Sequence, residues 1–276
     1  MTKSDSTRTE APAALLTVAI CTRNRVGFLA KAVASLLDQC GCSVPVLIID
    51  NASTDATPAM ARDLAAKHDF IQVYRENELG LSAARNAALA TASSEFVIFL
   101  DDDATAGPGW IDAYAKFLNG CAANVAAAGG PVKPVFEKPC PAWCDTKSLT
   151  LELGSTPFRF ESGGPWGGNL ALRRATALKV GGFNPKLGRK GNQLGAHEET
   201  ELFDRLRTDG QEIWWLPDPG IDHFIGAEKL RLCWQLRCEF TQGRSTAVTR
   251  LAKRPGAWER GAYATARLFA APWHLL

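Results

Sequence analysis

Short apolar runs alternate with helical patterns through the first hundred residues. Leu15 to Cys21 is apolar and β-branched, stops at Thr22-Arg-Asn-Arg25, and is followed by Phe28, Leu29, Val33, Leu36 and Leu37 at helical spacing. A second run, Val44 to Ile49, ends on Asp50 and the polar turn Asn51-Ala-Ser-Thr-Asp55. Ser53 or Thr54 is expected to cap the helix that continues to about His68. A third strand is predicted near Ile71–Tyr74. After the turn at Gly80, an Ala-rich helix over Ser82–Thr91 carries Arg85 near its start. Phe96 to Leu100 is apolar throughout, the pattern of a strand buried on both faces, and it ends in three carboxylates, Asp101, Asp102 and Asp103.

Three strand–helix alternations leading into that fourth strand predict an α/β protein with a parallel sheet and right-handed crossovers. The polar turns Thr22–Arg25, Asp50–Asp55 and Asp101–Asp103 then share one edge, the edge where open α/β sheets bind ligands. Buried charges are costly unless paired or metal-bound. Alternate residues of an extended chain point the same way, so Asp101 and Asp103 can converge on one cation.

The second half begins irregularly, with many Gly and Pro over residues 129–168. Gly163-Gly-Pro-Trp-Gly-Gly-Asn169 sets small residues around one ring, which makes Trp166, Gly167, Gly168 and Asn169 candidate substrate contacts. A strand over Asn169–Leu172 and a helix over Arg174–Val180 follow. Pro185–Ala196 is glycine-punctuated and carries Arg189 and Lys190, as expected of a lid over anionic substrate. In the helix that starts at His197, Glu199 shares a face with Leu202, Phe203 and Leu206 and is expected to point inward. Glu198 shares its face with Glu201 and Arg205, a solvated salt-bridging set. A partly desolvated carboxylate such as Glu199 suits general-base chemistry, although first-turn Glu residues also simply complement the helix dipole. Glu212–Leu216 reads as a further strand, followed by His223. Residues 228–253 read as a basic, aromatic amphipathic helix or helix pair.

Composition narrows the class. The 276 residues are 46% hydrophobic and 22% charged, as expected of one large folded domain, or of one domain with a substantial appendage. Net charge is +2, yet residues 228–276 hold nine Lys/Arg against three Glu, interleaved with Trp234, Phe240, Trp258, Phe269 and Trp273. That mixture suits an anionic membrane surface or partner. Eight cysteines without paired two-residue spacings predict neither a disulfide framework nor a zinc site. The polar N-terminus is not a secretory signal, and no apolar run reaches the roughly 18–20 residues of a membrane span, so a reduced cytoplasmic setting is expected. No Gly-x-Gly-x-x-Gly follows the first strand, and no phosphate-cradling loop ends in Lys-Ser/Thr, which argues against dinucleotide and P-loop enzymes.

Taken in order, these stretches resemble the family 2 glycosyltransferases, inverting enzymes of the GT-A fold. Val18-Ala-Ile-Cys-Thr-Arg-Asn-Arg25 resembles the first strand and donor loop, and Ile48-Ile-Asp-Asn-Ala-Ser-Thr-Asp55 the second motif, whose aspartate contacts the base. Gly80-Leu-Ser-Ala-Ala-Arg-Asn86 resembles the conserved helix start, and Phe99-Leu-Asp-Asp-Asp103 the Asp-x-Asp signature. Glu198-Glu199 stands where the family has Glu-Asp, the second being the base, and His223 stands where a metal-contacting histidine is found. The resemblance implies a Rossmann-like, mostly parallel sheet in a catalytic domain over residues 15–227. Its nucleotide-sugar half would run to 128 and its acceptor half from 129, between a disordered lead (1–14) and a helical extension (228–276).

It further implies donor contacts from Thr22, Arg23, Asn24, Asp50, Ser53, Gly80, Arg85, Asp101 and Asp102. Mn2+ or Mg2+ would sit on Asp103, Asp101 and His223, with Glu199 or Glu198 as base. A UDP-sugar donor is expected, with an acceptor in polysaccharide or glycolipid assembly at the inner face of the cell membrane; no nucleic-acid partner is expected. Trp166-Gly-Gly-Asn169 with Leu187-Gly-Arg-Lys190 resembles a bacterial surface-polysaccharide subgroup. A sugar-nucleotidyltransferase and a catalytically silent nucleotide-sugar scaffold are the alternatives.

Overall fold

The structure, a computed structural model, describes residues 15–40, 44–144, 146–191 and 193–253. The predicted lead at 1–14 and the last part of the extension, with Trp258, Phe269 and Trp273, lie outside the described residues.

The first half follows the alternation of the sequence. Strand β1 (Leu16–Thr22) leads to helix α1 (Val26–Cys40), β2 (Val46–Asn51) to α2 (Thr57–Lys67), and β3 (Ile71–Glu76) to α3 (Leu81–Thr91), before β4 (Phe96–Leu100). These four strands are parallel in the order β3-β2-β1-β4, with Thr22 opposite Asp50. β2 and β4 are buried at every position, as unbroken apolar runs require when helices cover both faces.

Strand parity separates two cores. Val18, Ile20, Ile48, Phe96 and Ile98 pack with Leu29, Val33 and Leu36 of α1 on one face. Ala19, Leu47, Ile49, Val97 and Phe99 pack with Ala84 and Ala88 of α3 on the other.

Beyond β4 the chain departs from the simple alternation. A short strand β5 (Ala104–Ala106) and helix α4 (Trp110–Leu118) precede β6 (Val125–Gly129), β7 (Val132–Phe136), a 3-10 turn at Thr146–Leu149 and β8 (Phe158–Arg159). Strand β9 (Asn169–Arg173) and helix α5 (Arg174–Lys179) come next. Helix α6 (Glu198–Thr208), β10 (Glu212–Trp215), β11 (Ile221–Ile225) and helix α7 (Leu232–Lys253) complete the described chain.

β9 inserts antiparallel between β4 and β6, giving one eight-stranded sheet of order β3-β2-β1-β4-β9-β6-β10-β8. β5, β11 and β7 form a second, three-stranded sheet that carries His223. Neither α4 nor β6 is among the elements expected from the sequence. β6 is Val-Ala-Ala-Ala-Gly, too small in side chain to signal a strand, and a Cβ on Gly129 would overlap Pro165 and the Asn169 carbonyl. The residues expected to cap α2 do other work. Asp55 accepts the Thr57 N–H, while the Ser53 hydroxyl accepts the Asn24 N–H and joins two loops of the ligand edge.

Candidate active site

The three polar turns meet at the carboxyl edge of β1, β2 and β4, as the strand pattern predicts. The Thr22 hydroxyl donates to Asp102 Oδ2 at 2.8 Å, and Asn24 bonds the Thr54 N–H across the turn at 2.8 Å. Asn24, Ala52 and His197 are the non-glycine residues with positive φ among those described, and all three sit on loops around this edge. Backbone strain of this kind collects at ligand sites. Asp50 is buried; it accepts the Ser53 N–H and pairs with Arg75 at 2.8 Å, a partner the sequence reading had not singled out. Arg23 is half-buried, with Nε unpartnered.

Each carboxylate of the Asp101–Asp103 triplet faces a permanent cation. Asp101 Oδ1 lies 3.6 Å from Arg85 Nη2, and Asp102 Oδ1 lies 4.0 Å from Arg25 Nη1. Asp103 Oδ2 receives both Arg25 Nη1 at 2.8 Å and Lys229 Nζ at 2.9 Å. Its other oxygen, Oδ1, lies 3.1 Å from His223 Nε2. Burial alone would raise the Asp103 carboxyl, but the His223 hydrogen bond and the Lys229 and Arg25 charges hold it far below the usual range. Asp102 goes the other way. Burial pushes it up to about 7, against Arg25 and the Thr22 hydroxyl.

Asp101, Asp103 and His223 each offer a ligand atom within 4.8 Å of the others. Two carboxylates and an imidazole suit a hard or borderline divalent cation. The donor set therefore fits such an ion.

Arg85 joins this cluster to α6. It is 3% exposed, lies over the rings of Phe99 and Phe183, and bonds Glu198 Oε1 at 2.9 Å. It stands behind the acidic cluster and joins Asp101 to Glu198. Neither Gly167 nor Gly168 has room for a side chain: a Cβ on Gly167 would stand 2.5 Å from Arg85 Nη2, and one on Gly168 would overlap Asp101 Oδ2.

Glu198 overturns the expectation of a solvated set. It is buried, whereas Arg205 pairs with Glu201 at 2.7 Å without it. The helical wheel places Glu198 beside the apolar stripe, and a first-turn side chain leans toward the helix start. There Arg85 and the loop at Gly188 cover it: a Cβ on Gly188 would stand 3.1 Å from Glu198 Cδ. Burial and the neighbouring Glu199 push Glu198 up to about 7, with Arg85 pulling down. Glu199 is half-buried, with Oε2 unpartnered.

Among the second-half candidates, Trp166 is half-buried against the core. Asn169 proves structural. It is fully buried; its Oδ1 accepts Trp110 Nε1–H and the Tyr114 hydroxyl, and its Nδ2 donates to the Pro131 and Pro219 carbonyls. With every polar position occupied it ties β9 to α4 and cannot contact an acceptor. Arg189 and Lys190, expected on a lid, are exposed, and their loop is stitched to the start of α3 through Leu81 N–H to Arg189 O and Ser82 Oγ–H to Leu187 O. Gly80, at φ 143°, allows the chain to turn there. A cavity of ≈ 360 Å³ opens between this loop and α7, lined by Lys186, Lys190, Gln193 and Thr241 among others. Lys229 had no sequence signal, being one lysine six residues past His223 in a segment read as a basic surface.

A sheet with its ligand edge at the ends of β1, β2 and β4, closed by an acidic triplet and a histidine, has the architecture of the GT-A fold. Residues 17–139 match the model for Glycosyl transferase family 2, and that segment is a domain of this family. It is 23% identical over 255 residues to the glucosyl-dolichyl phosphate glucuronosyltransferase of Haloferax volcanii, covering 90% of this chain and 81% of that one. It is 25% identical to the succinoglycan biosynthesis protein ExoM of Rhizobium meliloti, covering 72% and 63%. It is 34% identical over 215 residues to the pre-mycofactocin glycosyltransferase of Mycobacterium tuberculosis, covering 75% and 42%. Among solved structures, the mannosyltransferase PcManGT from Pyrobaculum calidifontis in complex with GDP-Man and Mn2+ superposes with TM-score 0.64 at 20% identity, covering 95% of this chain and 72% of that one.

Proposed function

We propose that the protein moves a sugar from a nucleoside-diphosphate sugar to an acceptor hydroxyl by a single, inverting displacement. The observation that supports this reading is the convergence on Arg85 of the Asp101 carboxylate and of Glu198 at the start of α6, with the Glu199 charge near the same guanidinium. Thr22–Asn24 and Asp50 hold the nucleoside, and Arg25, Lys229 and the lid residues Arg189 and Lys190 supply positive charge for the diphosphate. A divalent cation on Asp101, Asp103 and His223, when bound, neutralises charge on the departing diphosphate.

Glu199 takes the proton of the attacking hydroxyl. Glu199 is only half-buried, whereas Glu198 is buried and paired through Oε1 with Arg85. Attack on the face opposite the leaving group inverts the anomeric centre.

GDP-Man and Mn2+ in the archaeal structure, and UDP in a structure of the Staphylococcus aureus protein TarS, support a nucleotide-sugar donor. The names of the haloarchaeal and rhizobial relatives support an acceptor in lipid-linked glycan or polysaccharide assembly. No helix among the described residues is long and apolar enough to cross a membrane. Leu232, Leu236 and Phe240, spaced four apart on α7, are exposed beside Arg237, which supports peripheral contact with an anionic bilayer.

The test is a donor panel with Mn2+ and the Glu199→Gln variant. Transfer should fall by about 10³-fold or more while donor binding stays within threefold, and the wild-type product should show the inverted anomer by NMR. Normal turnover by Glu199→Gln with a dead Glu198→Gln would reassign the base. No release of nucleoside diphosphate from any donor would favour a silent binding protein.

A further inference from the structure

We propose that the cavity between residues 185–195 and α7 is an acceptor subsite that takes a phosphate borne on a lipid chain. This rests on the proposed reading of the protein as a glycosyltransferase and names the class of acceptor: a saccharide joined through phosphate to a lipid. The cavity holds ≈ 360 Å³, within the range of about 300–1,000 Å³ usual for small-ligand sites. Lys186 and Lys190 line it together with the Gln193 amide, and no carboxylate does. The lysines that pair with carboxylates among the described residues are Lys179, with Asp209, and Lys229, with Asp103. Two ammoniums on one cavity therefore lack a counter-charge, and a phosphate supplies it along with acceptors for their N–H groups.

The backbone holds these side chains in place. Lys190 and Gln193 bond each other in both directions, at 3.3 and 3.0 Å, as a directly opposed antiparallel pair, so their side chains stand on one side. The Lys186 N–H donates to Asn184 Oδ1 at 3.0 Å, and the next carbonyl, of Leu187, accepts the Ser82 hydroxyl at 2.9 Å. Glycines form the inner wall: a Cβ on Gly195 would overlap the Gly188 carbonyl.

The neighbours of the cavity decide which phosphate it takes. None of its lining residues belongs to the turns after β1, β2 and β4 that form the donor edge. Gly188 instead backs onto the start of α6, where its Cβ would stand 3.1 Å from Glu198 Cδ, one residue from Glu199. The phosphate thus lies on the side of the proposed base, where the acceptor enters. Lys190 reaches both ways, with Cγ 3.9 Å from a Cβ built on Gly80 at the donor edge, so Lys186 is the cation that tests the acceptor.

On the outer side, Thr241 lines the cavity from α7, and Phe240 beside it is 66% exposed at the end of the stripe Leu232, Leu236, Phe240. A cationic seat bordered by an apolar helix face suits an amphiphile, with phosphate between the lysines, hydrocarbon along α7 and a saccharide hydroxyl toward Glu199. A soluble sugar phosphate would leave the stripe uncovered.

Isothermal titration of the full chain, with the donor side filled by Mn2+ and UDP or GDP, tests this with three probes. They are dodecyl phosphate below its micelle concentration, inorganic phosphate and dodecyl maltoside. Dodecyl phosphate should bind about tenfold or more tighter than either of the others, because only it meets both lysines and stripe. Lys186→Ala should weaken dodecyl phosphate about tenfold, the loss of one charge-assisted bond, and leave nucleotide affinity within about threefold. Leu236→Ser with Phe240→Ser should bring dodecyl phosphate down to the level of inorganic phosphate. On wild type alone, equal binding of dodecyl and inorganic phosphate overturns the lipid, and equal binding of dodecyl phosphate and dodecyl maltoside overturns the phosphate seat. Unchanged dodecyl phosphate binding by Lys186→Ala, or an equal loss of nucleotide, overturns the assignment of the cavity to the acceptor while the donor reading stands. If neither nucleotide binds wild type with Mn2+, the donor reading fails and the subsite with it.

Discussion

Replacing Arg85 by Met should remove the post on which the two halves of the site lean. The methionine stem still fills the space between Phe99 and Phe183, so the loss is chiefly electrostatic. It leaves Glu198, buried with Oε2 already unpartnered, without its 2.9 Å ion pair, and Asp101 without its neighbour at 3.6 Å. Breaking a buried pair by deleting one partner costs about 3–5 kcal/mol. At about 2–4 °C per kcal/mol, that is a fall in Tm of roughly 6–20 °C.

The penalty should depend on pH with a definite sign. Glu198 is already raised to about 7, by burial first and Glu199 second, and losing Arg85 raises it further. A carboxyl raised in the fold gives stability that is fully present below its unfolded value near 4.5 and is lost as pH climbs through the folded value. The Arg85→Met defect should therefore be small near pH 5 and full above pH 8. Adding Glu198→Gln should recover much of it, because the amide carries no charge to strand. Urea denaturation of the two single variants and the double variant across pH 5–8.5 gives the cycle. A pH-independent loss, or a double variant no more stable than Arg85→Met, would refute the claim that Arg85 serves a buried charge.

Other substitutions separate scaffold from site. Asn169→Ala strands the Trp110 and Tyr114 donors and two carbonyls, and should cost about 3–5 kcal/mol in denaturant melts, with the donor KM of the surviving folded protein unchanged. Gly168→Ala drives a methyl into Asp101, so transfer should drop at least tenfold at about 1–3 kcal/mol of stability, read by parallel assay and melt. Replacing Leu232, Leu236 and Phe240 by Ser should abolish flotation with anionic liposomes while leaving transfer to a soluble acceptor intact; unchanged flotation would remove α7 from the account of membrane contact.

What the sequence discloses here depends on how local the cause is. β1, β2 and β4 declare themselves because unbroken apolar runs have few other uses, and their polar ends then share an edge by the geometry of a parallel sheet. Asp101 and Asp103 are legible as a pair for the same reason, at a strand end, whereas only the fold shows that His223 joins them, on β11, which pairs with β5 just beyond them. β6 is hidden because its alanines and glycine leave room for Pro165 and the antiparallel β9, a long-range fit that no window of sequence contains. Asn169 misleads for a related reason. A polar residue after two glycines looks like a ligand contact until α4 brings Trp110 and Tyr114 onto its oxygen. Helix periodicity orients Glu198 and Glu199 about their own axis, but burial is decided by what arrives from outside. Arg85 comes from 113 residues upstream and Gly188 from the loop before α6, and together they close over Glu198 while Glu199 is only half-buried. Lys229 carries the same point further: one lysine among nine basic residues near the C-terminus has a buried partner 126 residues away, and only the fold says which.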